Sequence, residues 1–431
     1  MPDLTAQILP RIIDHRFQGL PHGDNLVMPN YEGLSLVNLP ATVTHLLGVP
    51  EFSGPSLNAE ILRYLGGPYQ KVILLLVDAL GYDLFKQVIS PERGLIWGRY
   101  FERGVFSPIT SICPSTTASA LNTLWTGVGS AAHGIIGYEM WVKQFGMVIN
   151  NILHSAANTK KDSGGLYRAG FVPREFMDKP TLGPHLRAHG VRPTAFLHSA
   201  IANSGLSLMQ LEEVVLQTYL TEADLTVNLA EYLNRHSGTR DFIYVYYSDV
   251  DSLMHRYNAD DTRVMLQFSV FSMLFERGFI QNLSPDVAKE TLLIVTADHG
   301  SIATPQYERF DLANHPALSS HLVMQPTCEN RLAFLYIKPG QVGEVRDYFA
   351  KTWPDDFYLI EPAQALEVGL FGAGPYVEDV LDRLGDLIVV TRGDAYLWWS
   401  DRPNLMAGRH GGLHASEMLV PFFALPLGNL L

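Results

Sequence analysis

"KVILLLVD", residues 71–78, is an unbroken apolar run that ends in an acid. Because it shows no alternation of apolar and polar residues, it predicts a strand buried on both faces. Four further runs have the same character: "PTAFLHS" (193–199), "DFIYVYYSD" (241–249), "TLLIVTAD" (291–298) and "LVPFFAL" (419–425). Helical stretches lie between them, including 211–236 and 262–283. We therefore expect an α/β fold, a layered α/β/α sandwich in which all five runs are parallel strands of a mostly parallel central sheet.

Residues 325–400 have a different pattern. Short apolar runs such as "RLAFLYIK" and "DLIVVTRG" alternate there with short helical stretches. This pattern predicts a small α+β unit that is inserted into the sheet domain as a cap. The predicted organisation is a core of residues 1–324 and 401–431 and a cap of residues 325–400.

Composition narrows the class of protein. The 431 residues are 47% hydrophobic, which is enough for a large core. The net charge of −13 argues against binding a nucleic acid duplex or an anionic membrane. No apolar run of about 18 residues predicts a membrane span, and the first residues lack the pattern of a secretory signal. Two cysteines, Cys113 and Cys328, make no disulfide framework, and we expect a cytoplasmic protein.

Acidic residues and histidines cluster where the predicted strands end. They are Asp78, Asp249, Asp251 and His255, then Asp298 and His299 in "TADHG", and later His410 and His414 in "GRHGGLHASEM". Each alone has an ordinary interpretation as a helix cap, a surface pair or a turn. Parallel strands, however, bring their carboxyl ends to one rim, where crowded carboxylates repel unless cations hold them. Asp and His are ligands for Zn²⁺ and similar ions, so the sequence predicts a metal cluster.

The stretch "ICPSTTASALNTLWTG" (112–127) predicts a turn that leads into a helix ending at Gly127. Ser115 is a suitable N-cap, and capping is the ordinary role of hydroxyls at this place. Free N–H groups at a helix start also suit a phosphoryl oxygen. Beside a metal cluster, Thr116 or Thr117 would then be a candidate nucleophile.

The order of these motifs resembles the alkaline phosphatase superfamily, and within it the type I phosphodiesterase/nucleotide pyrophosphatase group. The matching motifs are the Asp after a first strand, Thr at a helix start, D-x-x-x-H, D-H-G and a late H-G. The resemblance implies two divalent ions, zinc with manganese as the alternative. Matched position by position, it places Asp78, Thr117, Asp298 and His299 around one ion and Asp251, His255 and His410 around the other. The family's P-x-x-T pattern selects Thr117, and the distance to Pro421 selects His410 over His414.

The resemblance also implies a function. We expect a two-metal phosphohydrolase that cleaves phosphodiester or pyrophosphate bonds of a small phosphorylated substrate, such as a nucleotide, through a phosphothreonine on Thr117. The alternatives are a phosphomonoesterase or phosphonate hydrolase at the same site, and a protein that only binds a phospholigand. In "HGIIGYEMW" (133–141), Tyr138 or Glu139 stands where the family has a phosphate-binding Asn, and we assign Tyr138 to the substrate. His133 is assigned a structural role. The C-x-P-x-R pattern of sulfatases is absent.

Overall fold

The strand Lys71–Val77 is completely buried because it lies at the centre of a seven-stranded sheet. The computed structural model describes residues 2–157, 159 and 162–431. Across the sheet the strands follow in the order Val105–Thr110, Leu419–Pro426, Thr291–Thr296, Lys71–Val77, Asp241–Tyr247, Arg192–His198 and Val215–Tyr219. Leu419–Pro426 is antiparallel to both of its neighbours, and the other strands run in one direction. This confirms the predicted α/β fold with a mostly parallel central sheet.

Helices precede the first strand and separate many of the later ones. The longer ones are Thr5–Ile13, Leu39–Leu46, Tyr82–Val88, Thr117–Thr126, Leu182–Ala188, Glu222–Arg235, Asp249–Tyr257, Thr262–Leu274 and Val342–Thr352. The shorter ones are Ala59–Leu62, Ile96–Arg99, Ser130–His133, Pro173–Phe176, Gly205–Gln210, Pro285–Lys289, Pro316–Ser319, Pro362–Glu367, Val380–Leu384 and Ala415–Met418. In the described part of the chain, no helix combines the length and the apolar character that crossing a bilayer requires.

Two details of the sheet differ from the prediction. The run 419–425 was expected to be parallel, but its first residue, Leu419, pairs with Thr110, the last residue of a parallel strand. The chain enters this strand at the rim where the parallel strands end, so it must run the other way; burial alone does not reveal direction. The stretch 211–236 was expected to be helical throughout, yet Val215–Tyr219 is an edge strand that precedes the helix Glu222–Arg235.

A second sheet is built from antiparallel pairs. Its order is Phe357–Ile360, Leu387–Thr391, Leu332–Leu335, Thr327–Glu329, Glu139–Val142, Met147–Asn150 and Ser155–Ala156. The first four strands belong to the predicted cap of residues 325–400, and the last three come from an earlier part of the chain. The two groups meet where Cys328 pairs with Glu139. The cap boundaries remain a prediction, and the structure adds that residues 139–156 extend its sheet.

Two short strands link the late part of the chain to the D-H-G motif. Ile302–Ala303 pairs antiparallel with Gly408–Arg409. This pairing places the segment that begins at His410 close to the segment that follows His299. Residues more than 100 positions apart in sequence are thereby brought to one rim of the central sheet.

Candidate metal centre and active site

Asp78 and Asp298 follow neighbouring parallel strands, so both carboxylates lie at the same rim. The imidazole of His299 lies between them, with its Nε2 3.5 Å from Asp78 Oδ1 and 3.5 Å from Asp298 Oδ2. The next residue, Gly300, packs so tightly that an added Cβ would stand 2.0 Å from Ser416 O. Close packing therefore explains why glycine is the third residue of the D-H-G motif. Asp78, Asp298 and His299 form one group able to hold a cation.

A second group forms around the helix Asp249–Tyr257. Asp251 and His255 are one turn apart, and Asp251 Oδ2 lies 3.4 Å from His255 Nε2. His410 arrives from the late segment with its Nε2 3.8 Å from Asp251 Oδ1 and 3.3 Å from His255 Nε2. Asp251, His299 and His410 also have ligand atoms within 4.8 Å of one another. The predicted second set, Asp251, His255 and His410, is therefore brought together.

His299 connects the two groups. Its ring stacks on that of His410 with the centroids 3.7 Å apart. The resemblance placed His299 at one ion only, whereas this geometry puts it within reach of both groups. The two candidate metal positions are therefore adjacent, and His299 borders both.

Each of these imidazoles is oriented through its Nδ1. His255 Nδ1 lies 3.0 Å from Gly408 O, His410 Nδ1 lies 3.1 Å from Ser115 O, and His299 Nδ1 lies 2.9 Å from Gly300 O. A proton on Nδ1 that is donated to a backbone carbonyl leaves Nε2 free as a metal ligand. All three Nε2 atoms point toward the carboxylates of the site.

The carboxylates carry oxygens that protein groups do not satisfy. Within residues 2–157, 159 and 162–431, Asp78 Oδ1, Asp251 Oδ1 and Asp298 Oδ2 are buried without a hydrogen-bond partner. Burial, followed by the charges of Asp298 and Asp251, raises the pKa of Asp78 well above its usual range. Buried carboxylates in this state are costly unless cations compensate them. The donor set therefore fits divalent metal ions, and the arrangement of Asp and His suits zinc.

Thr117 begins the helix Thr117–Thr126, which ends at Gly127 as predicted. Its Oγ1 lies 3.1 Å from His299 Nε2. The neighbouring hydroxyls are engaged by other groups: Thr116 donates to Glu329 Oε1 at 2.5 Å, and Ser115 donates to Gly412 O at 2.7 Å. The expectation that these hydroxyls cap the helix is wrong: Thr116 is the N-cap residue but makes no side-chain capping bond. Thr117 is the threonine that faces the metal groups.

Ser115 connects the late segment to the turn that precedes Thr117. It forms an antiparallel bridge with Gly411, whose N–H donates to Ser115 Oγ at 3.2 Å. His414, by contrast, accepts from the Ser416 N–H and caps the helix Ala415–Met418. The structure thus brings His410 to Asp251 and gives His414 a local role.

The remaining predicted site residue, Tyr138, lies at the edge of the site with 39% of its surface exposed. Its backbone N–H donates to Glu329 Oε1 at 3.1 Å. The sequence analysis missed Glu329, since no motif marks it, and also Tyr246, whose hydroxyl donates to Asp78 Oδ2. Tyr246 could have been found, because it is the second-last residue of the strand Asp241–Tyr247, which pairs in parallel with the strand that leads to Asp78.

Solved structures with the same fold include murine ectonucleotide pyrophosphatase/phosphodiesterase 5, with 16% identity over 82% of this chain and 88% of that one, at a TM-score of 0.61. An inactive variant of the murine protein in complex with AMP gives 17% identity over 83% and 88% of the two chains, at a TM-score of 0.61. Phosphonoacetate hydrolase from Sinorhizobium meliloti 1021, in complex with phosphonoacetate, gives 16% identity over 82% and 89%, at a TM-score of 0.58. No curated protein matches the chain.

The family comparison covers most of the chain. The sequence profile of the type I phosphodiesterase/nucleotide pyrophosphatase family matches residues 72–413. This range contains all the residues of both metal groups and Thr117. The chain is therefore a hydrolase that belongs to the type I phosphodiesterase/nucleotide pyrophosphatase family, within the alkaline phosphatase superfamily.

Proposed function

We propose that the chain is a two-metal phosphohydrolase that cleaves phosphodiester or pyrophosphate bonds through a phosphothreonine on Thr117. The observation that carries this proposal is the position of Thr117 Oγ1, 3.1 Å from His299 Nε2, which itself lies between the two candidate metal groups. The ligand sets are those implied by the resemblance: Asp78, Thr117, Asp298 and His299 for one ion, and Asp251, His255 and His410 for the other. Two bound divalent cations, zinc in our proposal, would lower the pKa of the Thr117 hydroxyl and of water and offset phosphate charge.

The chain's own groups then account for the remaining steps. The first-turn N–H groups of the helix that Thr117 begins are suited to hold a phosphoryl oxygen. Thr117 Oγ1 gives up its proton and attacks phosphorus, the Oγ1–P bond forms, the P–O bond to the leaving group breaks, and the leaving oxygen takes up a proton. Water then attacks phosphorus from the opposite side, which releases the phosphate product and returns a proton to Thr117. The covalent intermediate of this reaction is therefore a phosphothreonine at Thr117.

The substrate is proposed to be a small phosphorylated molecule, and a nucleotide is our first candidate. AMP is bound by the murine structural neighbour, and phosphonoacetate by the bacterial one. The second candidate activity is phosphonate or phosphomonoester hydrolysis at the same site, for which the neighbour with phosphonoacetate is the specific support. We also propose that the protein is cytoplasmic and that its metal ions are zinc and not manganese.

The test is a paired assay on purified, zinc-loaded protein. The substrates are p-nitrophenyl phosphate, bis-p-nitrophenyl phosphate, the p-nitrophenyl ester of thymidine monophosphate, and phosphonoacetate, each with a chelator control. We expect chelator-sensitive cleavage of the diesters. Faster cleavage of the monoester or of phosphonoacetate would move the activity to the second candidate, and no cleavage by protein with two bound metals would overturn the proposal.

A further inference from the structure

Glu329 lies between the segment that carries Thr117 and the segment that carries His410. Its Oε1 accepts hydrogen bonds from Thr116 Oγ1 at 2.5 Å and from the Tyr138 N–H at 3.1 Å. On another side, an added Cβ on Gly411 would stand only 2.5 Å from Glu329 Cβ. Because Thr116 precedes Thr117 and Gly411 follows His410, Glu329 adjoins both the segment that carries Thr117 and the segment that carries His410.

This side of the site is rich in carboxyl groups. In the described ranges, Glu329 has no ion pair with a lysine or arginine, and the ion pairs of Asp78, Asp251 and Asp298 involve histidines only. A second carboxyl, Glu139, lies close enough to act on Glu329 electrostatically. Burial raises the pKa of Glu139, and the hydrogen bond from Trp399 and then the Arg402 guanidinium act in the opposite direction.

Glu329 is electrostatically coupled to the metal groups. Burial raises the pKa of Glu329 to about 8, and the charges of Glu139 and Asp251 add to this effect. The hydrogen bond from Thr116 acts in the opposite direction and lowers the pKa. The effect of Asp251 means that the field of that group reaches Glu329. Divalent cations held there would reverse the sign of that contribution and favour the ionised carboxylate.

We propose that Glu329 is a specificity-determining residue that favours monoanionic phosphodiesters over dianionic phosphate monoesters, an inference that rests on the proposed phosphohydrolase function. A diester carries one negative charge on its phosphoryl group, whereas a monoester carries close to two at neutral pH. A fixed carboxylate beside the phosphoryl position repels the second charge and penalises the monoester. Rejection by like charge is a common source of selectivity between otherwise similar ligands.

The test is the Glu329→Gln variant. Glutamine keeps an Oε1 acceptor for Thr116 and Tyr138 and removes the charge. We measure kcat/KM for p-nitrophenyl phosphate and bis-p-nitrophenyl phosphate, and expect the monoester-to-diester ratio to rise on the order of tenfold. Glu361→Gln, at a surface carboxyl that pairs with Arg346, is the matched control and should leave the ratio unchanged.

A second readout does not depend on turnover. In zinc-loaded Thr117→Ala protein, we measure the dissociation constants of both esters calorimetrically with and without Glu329→Gln. We expect the exchange to tighten monoester binding on the order of tenfold relative to diester binding. This readout serves if the single variant turns over too slowly to assay.

The outcomes separate this inference from the proposed function. An enzyme whose diester cleavage depends on Thr117, but whose substrate ratio does not move in Glu329→Gln, would overturn the role of Glu329 alone. Equal losses on both esters would also overturn it, since they would indicate that Glu329 only orders the Thr116 turn. Full activity in Thr117→Ala would instead reject the proposed function.

Discussion

Thr117 Oγ1 lies 3.1 Å from Nε2 of His299, and that same Nε2 lies 3.5 Å from both Asp78 and Asp298. The hydroxyl is therefore next to the group formed by Asp78, Asp298 and His299. We expect Thr117→Ala to lower phosphodiester turnover by on the order of a thousandfold or more, because the covalent route is lost. The metal content, measured by mass spectrometry of the protein, should stay near two ions per chain because the Asp and His ligands remain.

Thr117→Ser is the control for this variant, since it keeps the hydroxyl at the helix start. It should retain a substantial part of the activity and yield a trappable phosphoserine. Unchanged turnover in Thr117→Ala would mean that another group attacks phosphorus.

The two late histidines provide a second comparison. His410 Nε2 is 3.8 Å from Asp251 Oδ1, whereas His414 caps a short helix through its Nδ1. His410→Ala should therefore lose one bound metal and most of the turnover. His414→Ala should keep both ions and cost about 1 kcal/mol of folding stability through the lost cap. Metal analysis and activity on the same preparations decide the assignment, and the reverse pattern would transfer the ligand role to His414.

Tyr246 and Tyr244 are a matched pair on one face of the strand Asp241–Tyr247. The Tyr246 hydroxyl donates to Asp78 Oδ2, while the Tyr244 hydroxyl is buried with no hydrogen-bond partner among the described residues. Tyr246→Phe should weaken zinc affinity about 10- to 100-fold, because ligand orientation depends on such outer hydrogen bonds. Tyr244→Phe should leave zinc affinity unchanged. Competition with a zinc-binding dye measures both, and equal affinities would contradict the role of Tyr246.

The sequence was informative where structure is set by local patterns. The strand Lys71–Val77 and its central neighbours are apolar throughout because both of their faces are covered, and this signal is strong. Val215–Tyr219 was missed because it is an edge strand with partly exposed residues, so its pattern merges with that of the following amphipathic helix. The direction of Leu419–Pro426 was also missed, since it depends on the chain path and not on burial.

Within the site, the motifs predicted residues whose backbone positions follow from strand and helix ends. Asp78, Asp298 and His299 come directly after strands, and Asp251 with His255 follows from helical spacing. Glu329 could not be predicted in this way. It reaches Thr116 from a strand of the second sheet, 213 positions away, and its place is fixed only by tertiary packing.

The buried pair Arg331–Glu417 joins the second sheet to the late segment of the site. Both side chains are fully buried, Arg331 Nη2 is 2.7 Å from Glu417 Oε2, and Glu417 also accepts from the Gly412 N–H at 2.9 Å. Arg331→Met leaves the carboxylate without its cation and should lower the free energy of unfolding by about 3–5 kcal/mol. The exposed pair Lys143–Asp382 is the control, where Lys143→Met should cost less than about 1 kcal/mol. Urea denaturation compares them, and similar losses would contradict this ranking.

His133 makes the fold sensitive to acid. The ring is completely buried, its Nδ1 accepts from the Ile135 N–H at 3.1 Å, and its Nε2 lies 3.1 Å from Thr123 Oγ1 on the helix Thr117–Thr126. Burial lowers the pKa of His133 from its usual value of 6.5 to about 3. The unfolded chain therefore takes up a proton below about pH 6.5, while the folded chain stays neutral down to about pH 3.

Stability should thus fall as the pH is lowered through this window, and this histidine alone should contribute about 2 kcal/mol of the loss between pH 7 and pH 5. His133→Asn keeps an acceptor for the Ile135 N–H but cannot titrate. Its free energy of unfolding, from urea denaturation at each pH, should therefore decline less steeply than that of the unmodified chain by about this amount. Other buried histidines titrate in both proteins, so they cancel in the difference. Parallel curves would mean that His133 is protonated in the folded chain and that its ring is not held neutral by burial.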